Sequence, residues 1–324
     1  IIVAEMEQGS FSLLNFYERR ARRILPALFF VMLCTLPFAW SWMLPQDLRS
    51  FSQSLVAVSL FASNVLFWLT SGYFDTASEL KPLLHTWSLA VEEQYYVLFP
   101  LFLMLTWKLG KKGIISMLIA VAIISVLAAQ WGSTTYPSLT FYLLPTRGFE
   151  ILIGVLISLY IYRKSSTFSV SQSVSQSVSI AGLVLVLYAI FAFNKSTPLP
   201  SLYTLVPTIG TGLILVFANS KNLVGKLLGS KLLVGIGLIS YSAYLWYQPI
   251  LSLLKYRSLE GLLSLEFLLI VLLAILILSF LSWRYVEKPF RSKEKISKRM
   301  IVLLSLFGSL IFISIGLYGH YTIN

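Results

Sequence analysis

The sequence predicts an all-α, polytopic transmembrane helical bundle. Three observations predict it. Of the 324 residues 57% are hydrophobic and only 12% are charged, whereas a soluble domain is nearer a quarter charged. Mean hydropathy is +0.81. The apolar residues also run in long unbroken stretches rather than in the short alternating segments of a membrane β-barrel. About nine spans are expected, with one re-entrant or surface-lying segment. The single cysteine, Cys34, sits inside an apolar run, so there is neither a disulfide framework nor a metal motif.

A span needs roughly 20 mostly apolar residues. That length is met near 24–44, 87–107, 113–130, 145–162, 178–193, 203–219, 232–254, 262–283 and 300–318, the last an extra outward C-terminal span. Residues 51–70 are apolar but carry Ser52, Gln53, Ser54, Ser59, Ser63 and Asn64. Charge decides how to treat them. Arg19, Arg20, Arg22 and Arg23 precede the first span, and Lys108, Lys111 and Lys112 follow the span 87–107. Basic residues mark cytoplasmic loops. Both clusters are inside only if 51–70 lies on the outer face or re-enters it. The clusters Arg163 and Lys164, then Lys221, Lys226 and Lys231, then the basic run 284–299, then also fall inside. Arg49, Lys81, Arg147, Lys195, Lys255 and Arg257 are left on the outer side. The net charge of +12 is thereby read as topology and not as a nucleic-acid surface. The loop 163–177 repeats Val-Ser-Gln-Ser and reads as a flexible inner linker. Ile1 is not Met, and the opening residues match no signal peptide, so the chain reads as N-terminally incomplete and as one membrane domain over 1–324.

Ionisable groups inside a span are costly and usually kept for a site. One of only two histidines, His85, precedes the adjacent carboxylates Glu92 and Glu93 in His85-Thr86-Trp87-Ser88-Leu89-Ala90-Val91-Glu92-Glu93-Gln94. A His beside carboxylates suits proton transfer. The topology puts His85 at the outer end of its span. Glu92, seven residues on, is expected on the same helical face, about 10 Å deeper, with Glu93 turned away. Arg147 and Glu150 enter the outer end of another span three residues apart, able to pair with each other or with Glu92. Trp87, Tyr241, Tyr244 and Tyr247 are candidates for contacting substrate, or form an interfacial aromatic belt. The second histidine, His320, is read as inert. At the inner face the four arginines at 19–23 are either a positive-inside signal or a phosphate site, since guanidinium forks bind phosphate bidentately.

Five segments carry a likeness across nearly the whole chain: Phe16-Tyr17-Glu18-Arg19-Arg20-Ala21-Arg22-Arg23-Ile24-Leu25-Pro26; the His85 to Gln94 string; Arg147-Gly148-Phe149-Glu150; Ile239-Ser240-Tyr241-Ser242-Ala243-Tyr244-Leu245-Trp246; and Arg284-Tyr285-Val286-Glu287-Lys288-Pro289-Phe290. In their order and spacing the chain resembles the membrane acyltransferase-3 family, the bacterial glycan O-acetyltransferases. The resemblance implies transfer of an acyl group, acetyl above all, from cytoplasmic acetyl-CoA or another acyl-CoA to a hydroxyl of a surface polysaccharide or its lipid-linked precursor. It implies a multi-pass protein of the bacterial cytoplasmic membrane, with membrane lipid as its surroundings, no nucleic-acid partner and no permanently bound cofactor. CoA phosphates would meet Arg19, Arg20, Arg22 and Arg23. His85, oriented by a carboxylate among Glu92, Glu93 and Glu150, would serve as base or as partner to one. Arg147 or tyrosine hydroxyls would stabilise the oxyanion. Two departures are visible. The family opens with two further helices, the first bearing an Arg and a His central to catalysis, and Ile1 corresponds to the end of the second. Tyr247 stands where the family often has His. The rival classes are a transporter or flippase, against which stands the lack of an inverted repeat, and a non-catalytic membrane fragment.

Overall fold

A computed structural model describes residues 1–72, 77–164, 170–194, 196–257 and 264–323, the side chains of Arg163 and Lys164 excepted. Every regular element among the described residues is helical. In chain order they are α1 (Ile2–Glu7), α2 (Leu13–Trp42), α3 (Pro45–Ser59), α4 (Ser63–Leu69), α5 (Thr86–Thr106), α6 (Gly110–Thr135), α7 (Pro137–Tyr142), α8 (Leu144–Lys164), α9 (Gln172–Ala192), α10 (Leu205–Phe217), α11 (Leu223–Leu228), α12 (Lys231–Arg257), α13 (Leu265–Ser282), α14 (Lys288–Arg291) and α15 (Lys298–Thr322).

Each expected span finds a helix at its place. Among the described residues, six helical stretches are long and apolar enough to cross a membrane: Leu13–Trp42, Thr86–Thr135, Pro137–Tyr162, Gln172–Ala192, Leu265–Arg291 and Lys298–Thr322. The count falls below nine for three reasons. α5 and α6 run on as one stretch through the 3-10 turn Trp107–Leu109. α10 has 13 residues, about 20 Å of helix. α12 is diluted by Ser240, Tyr241, Ser242, Tyr244, Tyr247 and Gln248. Large apolar side chains stay on the outside of these helices, among them Leu105, Ile124, Phe191, Ile270 and Phe307. A soluble monomer rarely exposes so much apolar surface, so this is a multi-pass membrane protein and these faces meet lipid.

The chain divides into two compact units. One comprises Ile1–Glu93 and Ile236–Asn324, the other Gln94–Gly235. The core of the first gathers Ala27, Leu28, Val31 and Met32 of α2, Leu48, Phe51 and Leu55 of α3, Leu245 and Trp246 of α12, and Phe312 of α15. α15 approaches α3 closely: a Cβ on Gly316 would stand 2.5 Å from the Ser52 carbonyl oxygen. In the second unit α9 and α10 meet at Gly182 and Gly210, where a Cβ on either would lie 2.6 or 2.7 Å from the other's carbonyl oxygen. Small residues that let helix backbones touch are how helices associate where lipid removes the hydrophobic drive.

One expectation agrees with the helices found and two are revised by local physics. Residues 51–70 form the end of α3, a break and α4. The break comes at Leu60–Ala62, with Phe61 at φ +52°, so no single 20-residue helix spans this segment. The arginine cluster does not precede the first span but lies inside α2, which starts at Leu13 under a cap from the Ser12 hydroxyl. The repeat in 163–177 is not all linker. Ser171 caps α9 at the Val174 amide, and buried Ser175 donates to the Phe217 carbonyl. A serine that caps, and one that bonds a neighbouring helix end, give the repeat a reason to be helical that polarity alone conceals. Of that loop, 165–169 lie outside the described residues, as do Lys195 and the first two residues of the span 262–283.

Candidate functional site

The first unit holds a column of polar side chains between α2, α5 and α12. Its centre is His85, 4% exposed. His85 does not belong to α5. It sits in a run of turns tied by Leu84 N–H to Lys81 O, Thr86 N–H to Leu83 O and Ser88 N–H to His85 O. Non-helical backbone at membrane depth is tolerated only where protein satisfies it, and here side chains do so. The Gln248 amide donates to the Lys81 carbonyl at 3.1 Å, the Tyr244 hydroxyl to the His85 carbonyl at 2.5 Å, and the Ser63 hydroxyl to the Thr86 carbonyl at 2.9 Å.

Tyr244 is the midpoint of the 27-residue α12, about 20 Å from either end. His85 is therefore level with the middle of that helix. It immediately precedes α5, and Glu92 within α5 is bonded to Arg20.

The His85 ring is held by shape. Tyr244 meets it edge-on at 4.9 Å between centroids and Tyr247 at 5.5 Å. Neither ring nitrogen makes a hydrogen bond. The carboxylate expected to orient it is therefore not bonded to it. In its neutral form the imidazole keeps one acceptor and one donor uncommitted. Buried polar atoms are almost always satisfied, so two free nitrogens on one side chain single out this residue.

Tyr241, Tyr244 and Tyr247 form a ladder along α12, with centroids 6.5 and 6.3 Å apart. Tyr244 shares a 3.0 Å hydrogen bond with Ser88, and the Tyr241 hydroxyl donates to the Ile24 carbonyl at 2.9 Å. One turn before Ile24, Arg20 donates to Glu92 at 3.2 Å and to Glu93 at 2.8 Å. The arginine assigned to a distant phosphate site thus pairs with the carboxylates assigned to the histidine.

The other three arginines diverge. Buried Arg22 bonds Glu18 at 2.9 Å and the Phe290 and Ser292 carbonyls at 3.3 and 3.5 Å. Arg19 pairs with Glu5 at 3.1 Å. Arg23 is exposed. One pairing was not foreseen, although both of its residues lie in the segments that carry the family likeness. Ser242 donates to Glu287, whose carboxylate also takes Arg291 at 2.5 Å, at the end of a π turn, Trp283–Glu287. Such π turns often mark functional stretches, yet nothing in the local sequence announces one. Trp87 is half-buried.

In the second unit, Arg147 donates through Nε to the Phe141 carbonyl at 2.7 Å, pairs with Glu150 at 3.2 Å and lies over the Phe141 ring. It ties α7 to the first turn of α8. Thr146 reinforces that join by donating to the Thr140 carbonyl at 2.7 Å.

No solved structure matches the chain. Among curated relatives, an uncharacterized protein of Haemophilus influenzae is 32% identical over 69% of this chain and 94% of its own length. A peptidoglycan O-acetyltransferase of Listeria monocytogenes is 28% identical over 90% of this chain and 48% of its own length. An O-acetyltransferase of Staphylococcus aureus is 26% identical over 93% and 53%. The chain thus spans about half the length of the two named transferases. A family model described as an acyltransferase domain matches residues 7–284, and the chain is a member of the acyltransferase-3 family.

Proposed function

We propose that this chain is the membrane part of an O-acyltransferase that moves an acyl group, acetyl by its family likeness, from cytoplasmic acyl-CoA to a hydroxyl of a surface glycan or its lipid-linked precursor. The observation that carries the reading is His85: a buried imidazole with both nitrogens uncommitted, aligned by tyrosines and standing in a polar column that ends at Arg20, Glu92 and Glu93. The names of the Listeria and Staphylococcus relatives support an O-acetyl transfer, and the Listeria name a peptidoglycan-type acceptor. A nine-span topology in the bacterial cytoplasmic membrane, with the basic clusters inside, supplies the two sides the reaction needs.

The chemistry follows from the residues. A sugar hydroxyl is a weak nucleophile at neutral pH. His85 takes its proton as the hydroxyl oxygen bonds the thioester carbonyl carbon. The negative charge that gathers on the carbonyl oxygen is met by a hydroxyl donor of the ladder. Tyr247 is best placed for this, because Tyr241 and Tyr244 already donate to backbone carbonyls. The carbon–sulfur bond then breaks, and the imidazolium returns its proton to the departing CoA thiolate. The diphosphate and 3′-phosphate would meet Arg23 and Arg19, the arginines of the cluster with most access, while Arg20 and Arg22 hold the helices beneath.

The test is transfer from radiolabelled acetyl-CoA to envelope glycan by the full-length protein reconstituted in vesicles. Acyl-CoA-dependent label in the glycan is expected. Movement of glycan across the vesicle membrane without label would favour the transporter reading instead.

A further inference from the structure

The first unit holds a cavity of about 110 Å³, lined by Met43, Gln46, Asp47, Ser50, Phe51, Gln53, Ser54, Leu66, Phe67, Thr70, Leu80, Lys81 and Pro82. In so apolar a chain its walls are unusually polar. Gln46, Asp47, Ser50, Gln53 and Ser54 recur at helical spacing along one face of α3. Lys81 faces them, its ammonium bonded to the Thr70 carbonyl at 2.8 Å. The hydroxyls of Ser50 and Ser54 donate back to their own helix, at Gln46 and Ser50, and keep lone pairs for a ligand. The buried faces of Phe51 and Phe67 supply the apolar part. Pro82, which precedes His85 by three residues, is among the lining residues.

We propose that this cavity is the acceptor subsite, taking one hydroxylated edge of an uncharged sugar and presenting it to His85 past Pro82. The inference rests on the acyltransferase reading and deepens it. Charge selects the class of ligand. One carboxylate and one ammonium, with five amide or hydroxyl side chains beside them, repel neither sign and favour neither, so they suit a neutral polyhydroxyl group over a phosphate or an amine. Size selects the extent: water takes about 30 Å³ in the liquid, so the cavity holds a few such groups, the edge of one ring and not a polymer strand.

The experiment uses this chain with Ser50→Cys in a Cys34→Ser background, in an amine-oxide detergent that carries no sugar headgroup. The probe is chitobiose, the N-acetylglucosamine disaccharide, and the readout is the rate at which a water-soluble maleimide labels position 50. Labelling is expected to slow as 1 + [L]/Kd, about tenfold when chitobiose reaches ten times its dissociation constant. Labelling of Leu44→Cys, which does not line the cavity, is expected to stay unchanged. In the full-length protein, Gln53→Ala with Ser54→Ala should raise the acceptor KM about tenfold and leave the acyl-CoA KM alone. Slowed labelling in a protein that transfers no acyl group would sustain the subsite and remove the reading it rests on. Transfer with labelling indifferent to chitobiose, and with an unchanged acceptor KM in the double variant, would overturn the subsite and leave the transferase standing.

Discussion

The two units treat their charged residues in opposite ways. In the second, Arg147 spends its guanidinium on the Phe141 carbonyl, the Phe141 ring and Glu150. In the first, a column of polar groups is also densely bonded, yet at its centre His85 leaves two ring nitrogens unmet. What separates a site from a brace is therefore not the presence of charge in an apolar chain, since both units have it. It is whether the protein saturates the charge by itself. A saturated pair fixes helices; an unsaturated group is left for something that arrives.

That contrast can be broken or sharpened by substitution. The largest effect is expected at Arg20. Arg20→Met leaves Glu93, whose side chain is 12% exposed, without its ion pair. Breaking a buried pair in this way costs about 3–5 kcal/mol; with Glu92 partly open to solvent the lower end is expected, read as a fall in thermal unfolding temperature in detergent. Full stability in that variant would mean the column is not held at its lower end. Next comes Arg147→Met, which strands the Phe141 carbonyl and Glu150. A loss of about 1–3 kcal/mol is expected, with acyl transfer per folded molecule near that of the wild type. A normal melting curve with transfer abolished would move Arg147 from brace to site.

Gly316→Val is of similar size or smaller. Its Cβ would stand 2.5 Å from the Ser52 carbonyl oxygen, and overpacking of this kind costs about 1–3 kcal/mol. Because α3 also lines the cavity, the acceptor KM should rise while the donor KM holds. The smallest effect is expected at Gln248→Leu, which removes one donor from the Lys81 carbonyl for about 1 kcal/mol. The readout is faster hydrogen exchange at the amides of residues 81–86, with α5 itself unchanged.

Much of this was legible in the residues. The apolar runs located every long helix, though not every start, α2 beginning at Leu13 and not near 24, because burial in lipid imposes a length and a composition that no other context demands. The polar interruption at Ser52, Gln53 and Ser54 marked 51–70 as exceptional, and α3 with α4 shows why: the face that looks too polar for a span lines a cavity. Depth was not legible. Basic residues report which side a loop lies on, not how far the chain returns before its next helix begins, so the start of α5 at the level of Tyr244 was invisible. Partnership at long range was equally hidden. Arg20 and Glu93 are 73 positions apart, and an arginine among four neighbours reads as a cluster until its carboxylates are seen. The uncommitted nitrogens of His85 belong to the same class of fact, since only the packing of Tyr244 and Tyr247 denies them a partner.

The central claim is that the unsaturated histidine, and not the saturated pairs, carries the chemistry. It is tested most directly by His85→Gln in the full-length protein, with transfer from radiolabelled acetyl-CoA normalised to folded molecules and the melting temperature taken on the same sample. The account predicts a loss of at least about 100-fold, the low end for removal of a general base, with a melting temperature close to wild type because no hydrogen bond of the ring is lost. Transfer within a fewfold of wild type in a folded His85→Gln protein would contradict it.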